Sequence, residues 1–126
     1  MNKNPREKFD LEERLIEFAV HIIELAVSLR HSRAATNLAN QLARSGTSPA
    51  LNYGEAQSAE SRNDFIHKLK VVLKELRETA ISLKIIKRVG FEKSEQLLQA
   101  CPDESRELTA IFAKSLLTAE SRRLSR

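Results

Sequence analysis

Leu11-Glu12-Glu13-Arg14-Leu15-Ile16-Glu17-Phe18-Ala19-Val20-His21-Ile22-Ile23-Glu24-Leu25-Ala26-Val27-Ser28-Leu29 decides the fold class. Leu11, Leu15, Phe18, Ile22, Leu25 and Leu29 recur at alternating spacings of four and three. A strand alternates every second residue, whereas this period is the seam of a bundle-forming helix. Asp10 suits the N-cap, with Glu12 and Glu13 complementing the helix dipole, so the helix is predicted from about Leu11 to Leu29. A second apolar row, Ile16, Val20, Ile23 and Val27, runs beside the seam. Only Glu13, Glu17, His21, Glu24 and Ser28 remain as a polar row, although a helix of a monomeric bundle shows a broad polar face. Either this helix is centrally covered, or its second row meets another subunit. Large exposed apolar patches are uncommon on monomers, which favours the oligomer.

Outward from this helix, Arg30 and His31 close it and Ser32 can cap the next. In the second helix Leu38, Leu42, Pro49, Tyr53 and Ala56 continue the seam. The positions between are small (Ala34, Ala35, Ala39, Ala43, Ser45, Gly46 and Ala50), so helix axes can approach closely. Pro49 cannot donate a backbone N–H and restricts Ser48. Either a new helical piece starts at Pro49, or one helix from about Arg33 to Gln57 is kinked near Pro49. The single kinked helix is favoured, with Ser and Thr hydroxyls bonding the carbonyls that the proline leaves free.

Ser58 or Ser61 caps the third helix, with Asp64 in its first turn. Its seam is Phe65, Leu69, Val72, Leu76, Ala80 and Leu83, flanked by Ile66, Leu73, Ile81 and Ile85, and Gly90 suits a left-handed stop. The last region breaks at Cys101-Pro102. A short helix (Ser94 to Ala100) precedes a fourth helix from Pro102 to about Ser121, with Leu108, Ile111, Phe112, Ser115, Leu116 and Ala119 inward. Residues 1–9 and 122–126 are expected to be loose tails of a single domain over 1–126. Four helices with short connections make an all-α, up-down-up-down antiparallel four-helix bundle.

The 126 residues suffice for one core, and 41% hydrophobic with 30% charged residues excludes a disordered chain. The single cysteine, Cys101, forbids an intrachain disulfide and fits a reducing, cytoplasmic setting. Met1 to Asp10 is polar, so no secretory signal is expected there. Glu17, His21 and Glu24 interrupt the longest apolar segment, so no membrane span is expected.

No catalytic or metal-binding constellation emerges. Asp64-x-x-His67 is the one pair spaced like the Glu-x-x-His of di-iron bundles, and it lies off the seam with no second pair to complete a site. Glu17, His21 and Glu24 form the first helix's polar row, which solvent or a subunit contact explains. Ser45, Thr47 and Ser48 have no histidine close in sequence, and Gly46-Thr47-Ser48 lacks the lysine and first glycine of a phosphate loop. Cys101 has no basic neighbour to activate it. No enzyme, cofactor or metal is expected.

Basic residues do align. Lys70, Lys74, Arg77, Lys84 and Arg88 form one stripe on the third helix, begun by His67 and interrupted by Ile81. Arg30, Arg33 and Arg44 add charge around the second helix, and Arg122, Arg123 and Arg126 make a basic tail. Such a stripe can track phosphates with salt-dependent affinity. Against this, Glu75 and Glu78 flank the stripe, Lys74 and Glu78 have the spacing of an ordinary helix ion pair, and the net charge is only +4. No aromatic residue interleaves with the stripe to stack on bases, so binding would be weakly sequence-specific.

The stretch from Arg44 to Gln57 adds a resemblance. Arg44-Ser45-Gly46-Thr47-Ser48, Asn52-Tyr53-x-Glu55-Ala56, Ser61-x-x-Asp64-Phe65, Lys68-Leu69 and Lys74-Glu75-x-x-Glu78-Thr79 resemble the bacterial four helix bundle protein family. That family includes proteins encoded in intervening sequences of the 23S ribosomal RNA gene and, more distantly, the accessory protein of diversity-generating retroelements. The resemblance implies a left-handed four-helix bundle assembled as a homopentamer, with no catalytic residue to carry over. The distant resemblance adds a protein such as a reverse transcriptase as a candidate partner, beside the RNA or DNA that the basic stripe suggests. Pro49 stands where the family usually has isoleucine, and Gly54 where a larger, often basic residue is common. Arg44, Asn52, Tyr53, Glu55 and Glu75 are the structural motif, and its polar members are expected to form a network that fixes helix register. The leading expectation is a non-enzymatic accessory or scaffold protein binding nucleic acid through Lys70, Lys74, Arg77, Lys84, Arg88, Arg122 and Arg123, with Ile16, Val20, Ile23 and Val27 at the oligomer interface. The alternative is a purely protein-binding scaffold whose basic rows are solvated.

Overall fold

The computed structural model describes residues 5–29, 32–90 and 95–124, with side chains throughout except at 5–10, 95–98 and 123–124. Four helices account for them: α1 (Pro5–Ser28), α2 (Arg33–Gln57), α3 (Arg62–Val89) and α4 (Glu95–Leu124). No strand occurs among the described residues. Each helix packs on its neighbours in the chain, and α1 closes the bundle against α4.

The seam of α1 is the core. Leu15, Phe18, Ile22, Leu25 and Leu29 are buried, with Leu11 packed against them. They meet Leu42 from α2, Leu69, Val72 and Leu76 from α3, and Leu108 and Phe112 from α4. The start of α1 differs from the expected one. The helix begins at Pro5, not after Asp10, because proline at a first helical position has its φ preset and no N–H to leave unsatisfied. Arg30 and His31, expected to close α1, lie outside the described residues.

The caps of α2 and α3 follow the sequence. Ser32 Oγ accepts the Ala35 N–H at 3.1 Å, and Ser61 Oγ accepts the Asp64 N–H at 3.0 Å. Ser58 closes α2 instead of opening α3. Gly90 ends α3 in the left-handed region, at φ 81°, where a side chain would be strained. On α3 the flanking row divides. Ile66 and Leu73 are buried, but Ile81 and Ile85 are exposed, and Ile86 takes the inward place. The buried face continues through Leu76, Thr79, Leu83 and Ile86, which rotates Ile81 and Ile85 outward.

Pro49 and Pro102 behave alike. Pro49 lies inside the single helix α2, so no separate piece begins there. The nearby hydroxyls return to carbonyls one turn earlier: Ser45 to Leu42, and Thr47 to Ala43 and Arg44. None of these bonds reaches the Ser45 carbonyl, which faces the missing proline N–H. Pro102 likewise lies inside α4, and the expected break at Cys101-Pro102 is absent. Cys101, Ser105 and Leu108 are all buried, at spacings of four and three, so the core face runs straight through the proline. That packing outweighs one lost helical hydrogen bond. Helix α4 extends to Leu124, past the expected end at Ser121. Ser94 and Arg126 lie outside the described residues.

The small residues of α2 set its spacing from α1. A Cβ placed on Gly46 would lie 2.5 Å from Ile22 Cγ2 and 2.9 Å from Ile22 Cβ. The branched root of Ile22, not a movable tip, fills the space. Gly54, about two turns further along α2, has nothing within 4 Å of such a Cβ. Gly46→Ala should therefore lower stability by about 1–2 kcal/mol despite its better helix propensity, because overpacking outweighs it. Gly54→Ala should raise stability by roughly 0.5–1 kcal/mol. Denaturant melts of the two variants check this; a Gly46→Ala protein as stable as wild type would mean that α1 and α2 are not in close contact there.

Candidate nucleic-acid interface

Every member of the α3 basic stripe (Lys70, Lys74, Arg77, Lys84 and Arg88) is exposed, as the outward face of a helix gripped by α2 and α4 requires. The pair expected between Lys74 and Glu78 is not formed. Glu78 turns instead to Arg44 of α2, at 3.1 Å. Lys70 contacts Glu120 of α4 at 3.5 Å. Among the described residues no carboxylate pairs with Lys74, Arg77, Lys84 or Arg88. The basic end of α4 joins only one end of the stripe. Arg122 lines a cleft with Arg62, at the first turn of α3, whereas Arg88 lies 26 residues further along, roughly 39 Å at helical rise. Arg123 belongs to α4, and its side chain lies outside the described residues.

The structural motif resolves into separate contacts rather than one network. Arg44 bonds Glu75 at 3.2 Å and Glu78 at 3.1 Å, bridging α2 to α3. The two carboxylates hold the Arg44 guanidinium above its ordinary pKa, the Glu78 hydrogen bond most strongly. Glu75 is nearly buried, with 8% of its side chain exposed, so Arg44 supplies the countercharge that such a carboxylate needs. Beside it, Thr79 donates to Ser45 Oγ at 2.8 Å within the core, and Ser45 donates on to the Leu42 carbonyl at 3.4 Å. Glu55 bonds Lys68 at 2.5 Å and raises the lysine's pKa. Residues late in α2 thus meet residues early in α3, so these two helices run antiparallel. Asn52 does not join them; its amide bonds the Ser48 carbonyl at 3.0 Å and Ser48 Oγ at 2.9 Å within its own helix. Tyr53 reaches across the bundle to Phe112, edge to face with centroids 5.4 Å apart, and burial pushes its hydroxyl pKa up.

The second row of α1 stays at the surface. Ile16, Val20 and Ile23 line an apolar groove of about 370 Å³ against Ala50 and Leu51 of α2, and Val27 extends the row at 63% exposure. Leu51, 68% exposed, was not visible as a partner of that row, because only the packing of α2 on α1 sets them side by side. Arg14 was also invisible in the sequence. It forks onto Glu104 of α4 at 2.9 and 2.7 Å and touches Glu107 at 2.8 Å, which raises its pKa and clamps α1 to α4. No group of three or more metal-ligating side chains occurs among the described residues. Among the described residues no helix is long and apolar enough to cross a membrane.

The model of a family described as 23S rRNA-intervening sequence protein matches residues 7–113. Among solved structures the chain is similar to a crystal structure of a protein with unknown function from the S23 ribosomal protein family of Bacteroides thetaiotaomicron VPI-5482. The two share 32% identity with a TM-score of 0.77, over 84% of this chain and 97% of that one. No curated protein matches.

The buried hydroxyl pair offers a direct test of the α2–α3 contact. Ser45→Ala and Thr79→Val should each destabilise by about 1 kcal/mol, and the double variant should cost less than their sum by a coupling energy of about 1 kcal/mol. Additive losses in chemical denaturation would show that the two hydroxyls do not act together.

Proposed function

The chain belongs to the 23S rRNA-intervening sequence protein family, and from that membership we propose a non-enzymatic, oligomeric accessory protein of the cytoplasm that holds nucleic-acid phosphates without regard to sequence. The observation that carries this reading is the exposed stripe of Lys74, Arg77, Lys84 and Arg88, which no carboxylate neutralises among the described residues. A rigid helix holding unpaired cations along one face follows a phosphate backbone by charge alone. Arg44 supports the arrangement indirectly, since it draws Glu78 away from Lys74.

The oligomer is the second half of the proposal. The groove of Ile16, Val20 and Ile23 with Leu51 is apolar surface that a second copy of the chain would cover. A homopentamer, as the family resemblance implies, would present five stripes together, and the modest +4 of each chain would add up around the ring. The alternative, a scaffold that binds protein only, is favoured by one feature: Ile81, Ile85 and Val89 are exposed on α3 and interrupt the basic stripe with apolar surface.

Three measurements test this reading. Light scattering should give the mass of an oligomer that grows on adding a short RNA or DNA duplex at low salt and falls back as salt rises. The combined change Lys74→Glu, Arg77→Glu and Lys84→Glu should reduce the slope of log affinity against log salt by about 3, one per phosphate contact; an unchanged slope would remove the stripe from the interface and leave the protein scaffold ahead. Val20→Glu with Ile23→Glu should convert the oligomer to a folded monomer with unchanged helical circular dichroism. An oligomer that survives both charges would place the subunit contact elsewhere.

A further inference from the structure

A second surface differs from the open face of α3. Between the first turns of α3 and the last turns of α4 lies a cleft of about 430 Å³. That volume is in the range of small-ligand sites. Its floor is apolar, made by Phe65, Leu69 and Ile111, and its walls carry Arg62, Lys114 and Arg122. No acidic residue lines it among the described residues. Glu120, on α4 between two of those cations, is engaged by Lys70. Neither Arg62 nor Lys114 takes part in an ion pair among the described residues.

Lys114 and Arg122 are eight residues apart on α4, about 12 Å along the axis, so a single carboxylate or phosphate cannot meet both. The spacing suits a ligand carrying several negative charges in succession. The aromatic floor suits a flat apolar group between those charges. A base of a double helix is stacked between its neighbours and cannot enter such a cleft, whereas an unpaired base can be splayed into it. The cleft also supplies the aromatic partner that the outer stripe lacks: Phe65 has Arg62 one turn before it on α3, and the approach of α4 adds Lys114 and Arg122 around it.

We propose that the α3–α4 cleft is a single-strand site, which takes one unpaired nucleotide with its base on Phe65 and the flanking phosphates on Arg62, Lys114 and Arg122. This rests on the reading of the chain as a phosphate-holding protein and adds to it a preference for unpaired nucleic acid. The outer stripe holds backbone of any form, and the cleft distinguishes single strands from duplexes. An uncharged or singly charged apolar ligand would leave most of the surrounding positive charge unused.

Fluorescence anisotropy with a short single-stranded polyuridine RNA and an RNA duplex of equal phosphate number, at one salt concentration, tests this on the full chain. The wild-type protein should bind the single strand more tightly. Phe65→Leu keeps apolar volume in the floor but removes the flat ring, and should weaken single-strand binding about tenfold while leaving duplex binding unchanged. Because Phe65 also packs against the core, a second variant at exposed positions, Arg62→Gln with Lys114→Gln, should weaken the single strand more than the duplex at unchanged thermal stability. Equal losses on both nucleic acids, or no loss on the single strand, would overturn the cleft proposal while the phosphate-holding reading stands. Absence of binding to either RNA would overturn both.

Discussion

The structure depends on two consecutive residues of α2 that face two different helices. Gly46 gives up its side chain so that α1 can set Ile22 against the backbone. Ser45, about 100° around the helix, turns its hydroxyl to Thr79 of α3. One contact fixes distance and the other fixes register. Hydrophobic burial alone would let the helices slide by a turn with little change in area, since leucines are alike. A missing Cβ and a buried hydroxyl pair are not interchangeable with their neighbours, so a slip would leave a clash on one side and unpaired polar atoms on the other.

Charge reinforces this framework at its edges. Arg44 ties α2 to α3 through Glu75 and Glu78, Lys68 ties them again through Glu55, and Arg14 clamps α1 to α4 through Glu104 and Glu107. These are pairs between helices, not along one helix. A consequence is that Glu75 and Glu78 of α3 turn toward α2, and Lys74, Arg77, Lys84 and Arg88 are left on the outer face without a carboxylate partner among the described residues. The polar motif thus shapes the surface as well as the interior: the residues that hold α2 and α3 together also decide which charges remain available to a partner.

Periodicity within one helix was readable, and choices between helices were not. The buried seam of α1 follows directly from its spacing, because the helix itself imposes the period. The caps at Ser32 and Ser61 and the stop at Gly90 are likewise local chemistry. By contrast, the Lys74–Glu78 spacing suggested a pair that α2 breaks by offering Arg44, and nothing in α1 alone announces Glu104 as the partner of Arg14. Asn52 was grouped with Arg44 and Glu75 by motif, yet it bonds Ser48 one turn away. Pro102 misled in the same sense: it looked like a break because the tertiary face joining Cys101, Ser105 and Leu108 cannot be weighed before the helix is placed. The outward row of α1 was legible as surplus apolar surface, while its partner Leu51 was not.

Cys101 gives the bundle a built-in clock. The thiol is the only one in the chain and is 1% exposed, in the core face of α4 just before Pro102. An alkylating reagent can reach it only when α4 moves away from its neighbours, so the rate of labelling at high reagent concentration follows the opening of that helix. With no other sulfhydryl to compete, each modified molecule records one such event, and the bundle's breathing can be timed without a mutation.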